Sequence, residues 1–316
     1  MRSSKKASGS RTRKPSRRRR PGAASSTRKP KKKGSATIRR PQRRKVVAKR
    51  KARPVPPPPV RERTPILFVG DLHGNVAVLD HIQEQFPDHL KIFVGDFLDS
   101  RDQFMRVEEL MCLERVLTMI EQGNARACMG NHEWSYLDPS MRCSGYDPEF
   151  DAQLARYKER MQRLLEYFIW IPDQRILVTH AGLSFQVWQE CHLTVENLAA
   201  KMAEWALLPV TDTPAGWIGI SRGGVDDVGG IFWCDWYSEF QPVPGLTQIF
   251  GHTSAVSIQE ELVQDRIGVR QRGSNYNIDC LMRTWEVLEL GADGQLRAVP
   301  IFNEYESPSF QSGTPL

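Results

Sequence analysis

The feature that most constrains this chain is a short apolar run that ends in a pair of metal-ligand residues. Ile66–Val69 reads as a buried strand, and Gly70-Asp71-Leu72-His73-Gly74 follows it directly. The flanking glycines permit a sharp turn and a close approach of the backbone to a ligand. A carboxylate beside an imidazole suits a borderline divalent cation. On this motif alone, Asp71 and His73 are more readily interpreted as ordinary turn residues than as metal ligands.

The same arrangement recurs at four further places along the chain. The later apolar runs are followed by Asp96, by Asn131 with His132, by His180 and by His252. Side chains at the carboxyl ends of parallel strands are presented together at one edge of a sheet. We therefore attribute the five strand exits to a single site, and the alternation of strands and helices predicts an α/β fold.

Helical patterns separate these strands. The sequence predicts helices over 76–86 with Asn75 as the cap, over 103–122 with Asp102 as the cap, and from Asp147 along an apolar stripe that reaches Phe168. Val107 and Met111 are placed on the apolar stripe of the second helix.

Charge divides the chain into two unlike parts. Of its 44 Lys and Arg residues, 24 lie in residues 1–53, which contain no Asp or Glu, so residues 54–316 hold 20 basic and all 37 acidic residues, a net charge of −17. A segment so charged and so poor in apolar side chains is expected to be disordered. We therefore divide the chain into a disordered Lys/Arg-rich arm (1–53), a Pro-rich linker (54–62), a folded domain (63–306) and a frayed tail (307–316).

The basic arm favours binding to a polyanion. Its dense clusters are Arg17, Arg18, Arg19 and Arg20, followed by Lys31, Lys32 and Lys33. Such a segment is typical of sequence-tolerant, salt-sensitive nucleic-acid binding or of a nuclear-localisation signal. A solvated tail without a partner is the simpler alternative. We expect an intracellular protein with nuclear, nucleoid or virion association through the arm, and no membrane span. The six cysteines show no paired spacing and are expected to be reduced.

The motifs together resemble those of a known family. Gly-Asp-Leu-His-Gly-Asn, Gly-Asp-Phe-Leu-Asp-Ser-Arg-Asp, Gly-Asn-His-Glu, Thr-His-Ala-Gly and Phe-Gly-His-Thr are similar, in order, to the motifs of the calcineurin-like metallophosphoesterases, and more narrowly of the phosphoprotein phosphatases. The resemblance covers roughly 66–302. It implies a metallophosphatase β-sandwich flanked by helices, in four α/β/β/α layers, with two metal ions at one edge.

The resemblance also implies a ligand set. Asp71, His73 and Asp96 would bind the first metal, and Asp96, Asn131, His180 and His252 would bind the second. Asp96 would thus bridge two ions about 3.5–4 Å apart, between which a water becomes the nucleophile. The set contains no thiolate, so Mn, Fe and Zn are all admissible, with Mn²⁺ as the expected activator in vitro.

Four further residues take their roles from the same resemblance. His132 would protonate the leaving oxygen as general acid, and Asp99 would orient its imidazole and raise its pKa. The family usually places an arginine directly after the Asp99 position, where this chain has Ser100. Arg101 and Arg222 are therefore the candidates for phosphate binding, and a loop arginine that contacts only the backbone is the alternative for Arg222.

Three functions remain open on the sequence. The first is hydrolysis of phosphomonoesters, as in Ser/Thr phosphoprotein phosphatases. The second is cleavage of a dinucleoside polyphosphate in the manner of a bis(5'-nucleosyl)-tetraphosphatase. The third is a non-enzymatic nucleic-acid-binding scaffold that uses the arm. The partners would be a phosphorylated protein or nucleotide and, through residues 1–53, nucleic acid; the sequence does not determine the oligomeric state.

Overall fold

Two five-stranded sheets form the framework of the domain. The computed structural model describes residues 64–100, 105–254, 268–281 and 284–302. Within these ranges the strands are Ile66–Val69 (β1), Leu90–Phe93 (β2), Ala125–Ala127 (β3), Ile169–Ile171 (β4), Ile176–Val178 (β5), Thr247–Phe250 (β6), Arg270–Arg272 (β7), Asn275–Asn277 (β8), Glu286–Leu290 (β9) and Leu296–Pro300 (β10). The strand orders are β10-β9-β1-β2-β3 and β4-β5-β6-β8-β7.

Parallel pairing within each sheet explains why its strand exits share one end. β1, β2 and β3 run parallel in the first sheet, and β5, β6 and β8 run parallel in the second. The remaining strands, β9 and β10 in the first sheet and β4 and β7 in the second, pair antiparallel. The loops that follow the parallel strands therefore leave each sheet at the same end.

Seven helices accompany the sheets in the described residues. They are Val76–Gln85 (α1), Arg106–Glu121 (α2), Asn131–Leu137 (α3), Pro148–Leu154 (α4), Lys158–Leu164 (α5), Phe185–Glu190 (α6) and Leu198–Trp205 (α7). Short 3-10 helices include Pro139–Met141 and Ile220–Arg222. None of the helices in these ranges has the length and hydropathy that a membrane span requires.

Alternate residues of β1 show how the layers pack. Ile66 and Phe68 join a core between the two sheets, which also contains Ile249 of β6. Leu67 and Val69 point to the opposite face and pack with helical residues such as Leu79. This period of two is expected of a strand that is buried on both faces. The predicted β-sandwich with flanking helices is confirmed.

Helix boundaries depart from the predictions in two places. α2 begins at Arg106, with Met105 as the N-cap residue, so the predicted start at Gln103 with Asp102 as the cap is wrong. Its Glu108 carboxylate accepts the Met105 backbone N–H at 2.6 Å, which satisfies a donor at the start of the helix. The predicted continuous helix from Asp147 to Phe168 is instead two short helices, α4 and α5.

Several predictions fall on residues that the structure does not describe. These are the disordered arm with its basic clusters, the Pro-rich linker, the phosphate-binding role of Arg101 and the frayed tail. They stay predictions.

Candidate metal centre

The loop after β1 presents Asp71 and His73 at the sheet edge. Asp71 is fully buried, and its Oδ2 accepts the backbone N–H of His252 at 2.8 Å. Its Oδ1 is buried without a hydrogen-bond partner. His73 Nδ1 lies 2.7 Å from the Leu98 carbonyl oxygen, so Nδ1 carries the proton and the Nε2 lone pair is left for a metal.

Asp96, in the loop after β2, lies at the centre of the site. Its Oδ2 is 3.4 Å from His180 Nε2 and 3.9 Å from His73 Nε2. Burial opposes ionisation of this carboxyl, but the neighbouring imidazoles of His180, His132 and His73 together hold its pKa well below the usual range. The charged form of the Asp96 carboxyl is therefore favoured, and several imidazoles lie close to it.

Asn131, His180 and His252 converge beside Asp96. Asn131 Oδ1 is 2.8 Å from His180 Nε2 and 2.8 Å from His252 Nδ1, and these two nitrogens are 3.1 Å apart. His180 Nδ1 donates to the Val94 carbonyl at 3.0 Å, which leaves Nε2 as an acceptor. Burial, His180 and Arg222 depress the pKa of His252, which favours its neutral form.

These donors fit divalent metal ions. Lone pairs of His180, Asn131 and Asp96 face one another at short range and repel. A cation bound between them would replace this repulsion with attraction. Ligand atoms lie within 4.8 Å of one another in two groups that share Asp96, one with His73 and His132 and the other with His180 and His252. Asp71 lies in neither group, although burial and the charges of Asp279 and Asp96 raise its pKa well above the usual range. A nearby cation would stabilise the charged form of Asp71 and lower its pKa.

His132 pairs with Asp99 as predicted. His132 Nδ1 lies 2.9 Å from Asp99 Oδ2, and Asp99 Oδ1 accepts from Tyr136 Oη at 2.6 Å and from the Arg106 guanidinium at 2.8 Å. Burial alone would lower the pKa of His132, but the charge of Asp96 and the hydrogen bond to Asp99 raise it well above the usual value. The sequence indicated the His132–Asp99 pair and missed its supports, Arg106 at the start of α2 and Tyr136 of α3.

Glu133 holds two of the site loops in place. Its Oε1 accepts the backbone N–H groups of Phe97 (2.8 Å) and Leu98 (3.2 Å). Its Oε2 accepts those of Asp96 (2.9 Å) and Gly130 (3.0 Å). Burial and the charge of Asp96 raise the pKa of Glu133 to about 7, whereas four N–H donors favour the carboxylate. This clamp joins the loop that carries Asp96 to the start of α3, which carries Asn131.

Backbone conformation at the site is strained. Four of its residues are left-handed without being glycine, with φ of +42° at His73, +53° at Asp96, +58° at Asp99 and +69° at His252. Each such residue costs about 1–2 kcal/mol, and strain of this kind is typical of functional sites. A side chain at Gly251 would collide with Asp71 Oδ1, which explains the small residue before His252.

A cavity of about 530 Å³ opens over both ligand groups. Besides the ligands, its walls contain Arg142, Ser144, Arg222, Trp233 and Asp279. Arg222 is held by Asp235 Oδ2 at 3.0 Å and by Thr253 Oγ1 at 2.8 Å, so the predicted phosphate-binding residue does lie at the site. Arg142 and Asp279 were not predicted from the sequence. Asp279 follows β8 in the same way that Asp71 follows β1, and this signal was available.

Comparison with known proteins agrees with the geometry. The family model of the calcineurin-like phosphoesterases matches residues 64–255, more than half of the chain. The chain belongs to this family. It is accordingly a metal-dependent phosphoesterase, a hydrolase that acts on phosphoric esters, and the predicted recognition and enzyme class are confirmed. The family typically depends on two metal ions.

Solved structures of other phosphatases resemble the chain at low identity. A cold-active protein-tyrosine phosphatase of a Shewanella species is 15% identical, with 75% of this chain and 80% of that chain covered and a TM-score of 0.48. A protein serine/threonine phosphatase of Saccharomyces cerevisiae is 16% identical, with 77% and 82% covered and a TM-score of 0.41. A metallophosphoesterase of Sphaerobacter thermophilus is 16% identical, with 75% and 88% covered and a TM-score of 0.35. No curated protein sequence matches the chain.

Proposed function

We propose that this enzyme hydrolyses phosphomonoesters, with phosphoproteins modified on serine or threonine as its substrates. The observation that carries the proposal is the buried His132–Asp99 pair beside Asp96, with His132 on the cavity wall. His132 Nε2 lies 3.9 Å from Asp96 Oδ2, so the imidazole stands next to the shared carboxylate. A monoester needs a proton for its departing oxygen, and this pair can supply it.

Two metal ions would bind on either side of Asp96. Asp71, His73 and Asp96 would hold the first, and Asp96, Asn131, His180 and His252 would hold the second. When bound, the ions would neutralise phosphoryl charge and activate the attacking water. Mn, Fe and Zn all suit these nitrogen and oxygen donors, and we propose Mn²⁺ for assays.

His132 is the proton donor in this proposal. Asp99 accepts from Nδ1, so the transferable proton is the one on Nε2. His132 lines the cavity. The charge of Asp96 and the hydrogen bond to Asp99 raise the pKa of the imidazole, which favours its protonated form. Tyr136 and Arg106 hold Asp99 in place, so they act on the reaction only by positioning that carboxylate.

Two arginines on the cavity wall would bind the phosphoryl group. Arg222 is one of them. We assign the other role to Arg142, because Ser100 stands where the family usually has arginine and Arg142 lines the same cavity as Ser100. Arg142 stacks on Tyr146 with its guanidinium carbon 4.2 Å from the ring centroid, and its Nη2 donates to Tyr146 Oη at 3.2 Å. These contacts position the guanidinium at the cavity wall.

A variant pair tests the arginine assignment. Arg142→Ala should lower kcat/KM for an aryl phosphate roughly tenfold or more, because a hydrogen bond to a charged group is worth about 1.5–3 kcal/mol. Arg156 is a matched control: it stacks on Tyr157 at 4.8 Å and does not line the cavity. Equal kinetics of Arg142→Ala and Arg156→Ala would refute the assignment.

The mechanism itself is tested with the Mn²⁺-loaded enzyme and an aryl phosphate. Asp96→Asn and His132→Asn should each remove most turnover. His192→Asn is the control, since His192 is exposed and has φ +51°, a conformation that asparagine tolerates. Full activity of both site variants would contradict the proposal.

A substrate panel decides between the functional alternatives. Phosphopeptides, diadenosine tetraphosphate and single-stranded nucleic acid are assayed side by side. Preference for diadenosine tetraphosphate would assign the nucleosyl-tetraphosphatase activity instead. Deleting residues 1–53 should leave turnover unchanged and remove salt-sensitive nucleic-acid binding. Retained binding would contradict the proposed role of the arm, and with it nuclear, nucleoid or virion association.

A further inference from the structure

A second cluster of metal-ligand atoms lies on the other side of the His132 ring. Cys143, which is half-buried and lines the cavity, has its Sγ 3.7 Å from His132 Nδ1. Asp99 Oδ2 lies 2.9 Å from the same nitrogen. The sulfur, the nitrogen and a carboxylate oxygen are all within 4.8 Å of one another. The family motifs include no cysteine here, and the proposed reaction does not use this thiol.

The spacing of these atoms approaches that of a tetrahedral site. With Zn–S near 2.3 Å and Zn–N or Zn–O near 2.1 Å, tetrahedral ligands lie about 3.6 Å apart for sulfur and nitrogen and about 3.4 Å apart for nitrogen and oxygen. The Cys143–His132 distance already matches, and the His132–Asp99 distance must open by about half an ångström. Thiolate favours soft cations, which distinguishes this cluster from the nitrogen and oxygen donors around Asp96.

The local backbone holds Cys143 against the pair. The Cys143 N–H donates to Ser135 Oγ of α3 at 3.1 Å. Two residues later, Gly145 has φ +95° and packs so closely that a Cβ there would lie 2.9 Å from Asp99 Cβ. The segment that carries Cys143 is thus fixed both to α3, which carries His132, and to Asp99.

We propose that Cys143, His132 and Asp99 form an inhibitory site for a thiophilic divalent cation such as Zn²⁺ or Cd²⁺. Binding would form bonds from the ion to Sγ, Nδ1 and a carboxylate oxygen, with water as the fourth ligand. The thiol proton and the Nδ1 proton pass to solvent. His132 then no longer donates to Asp99, and the ion holds the imidazole away from its role as proton donor. The binding site stands on geometry alone, whereas the inhibition rests on the proposed function.

Cys191 provides a matched control. The six cysteines are all free, and only Cys143 and Cys191 are partly accessible, the other four being buried. Cys191 ends α6 and does not line the cavity. Replacing either residue with serine removes one accessible thiol and changes the side-chain volume little.

The test is a titration of the full-length, Mn²⁺-loaded enzyme with Cd²⁺. Binding is monitored by the ultraviolet charge-transfer absorption between thiolate and Cd²⁺. We expect the band in the wild type and in Cys191→Ser, and its loss in Cys143→Ser with unchanged circular dichroism. A band that persists in Cys143→Ser, or one absent from the wild type, would overturn the site. Because this readout is independent of turnover, it decides the site even if no substrate is hydrolysed.

Turnover in the same titration tests the inhibition. Loss of one ligand should raise the Cd²⁺ concentration needed for half-inhibition at least roughly tenfold in Cys143→Ser, with no change in Cys191→Ser. Half-inhibition is compared with each protein's own basal turnover without Cd²⁺. Equal sensitivity of the wild type and Cys143→Ser would overturn the inhibitory role.

Discussion

Replacing Glu133 with glutamine should destabilise the domain and loosen the metal site together. Glu133 is fully buried, and its two oxygens accept four backbone N–H groups, two on each oxygen. Glutamine retains one acceptor oxygen and puts an NH₂ group in place of the other. Two buried donors would then lose their acceptor and face another donor.

The expected magnitude follows from those two donors. A buried polar group left unsatisfied costs about 1–3 kcal/mol, so the pair costs about 2–6 kcal/mol. Removing a buried carboxyl next to Asp96 offsets part of this, because that proximity is unfavourable enough to raise the pKa of Glu133 to about 7. We therefore expect a loss of about 2–4 kcal/mol in the free energy of unfolding, which for a domain of this size lowers Tm by roughly 4–16 °C.

Urea denaturation of the metal-free protein measures this loss, and Mn²⁺ titration measures the effect on the site. Glu190→Gln is the control, since Glu190 is exposed and accepts from the side chain of Gln186 at 3.0 Å. It should change stability by less than about 0.5 kcal/mol. Mn²⁺ affinity should fall in Glu133→Gln, because the clamp positions the loops of Asp96 and Asn131. A denaturation midpoint equal to that of the wild type would refute the reasoning.

Three further predictions address the acid, the metal and a helix cap. Asp99→Asn removes a hydrogen bond that raises the pKa of His132, so the imidazole loses its proton at lower pH. The alkaline limb of the kcat/KM profile should therefore shift to lower pH. A limb at the wild-type pH would contradict the pairing. Chelation with EDTA should abolish turnover and lower Tm. The free energy of unfolding should fall by about 2.7 kcal/mol if the metal concentration was 100 times its Kd. An unchanged melting curve would contradict metal binding to the native state. Asn75→Ala removes the Oδ1 that accepts the Val78 N–H at 3.2 Å. The free energy of unfolding, measured by urea denaturation, should fall by about 1 kcal/mol. Unchanged stability would contradict the capping role.

Much of the ligand set could be predicted from sequence because its signals are local. An apolar run, a glycine and a ligand residue occupy only a few consecutive positions, and β1, β2 and β6 lie where such runs predict them. The Asn75 cap of α1 is equally local, because Asx side chains bond the backbone two or three residues ahead. The α/β fold and the metallophosphoesterase family follow from five such signals taken together.

Which side of α2 is exposed could not be predicted from local sequence, because it depends on packing. Val107 and Met111 are 62% and 45% exposed, so their predicted place on the apolar stripe is wrong. The helix buries Cys112, Leu113 and Val116 among its core residues. Apolar residues lie on more than one side of this helix, and only contact with the sheet and its neighbours decides which side is covered.

The sequence by itself determined the ligand types, their order and the loops that carry them. Only the tertiary structure decided which other side chains meet them. Arg106 and Tyr136 on Asp99, Arg142 on the cavity wall and Cys143 beside His132 follow no local pattern. Their positions depend on strand order, helix packing and the course of loops between distant segments, because side chains far apart in sequence come into contact only when the whole domain has folded.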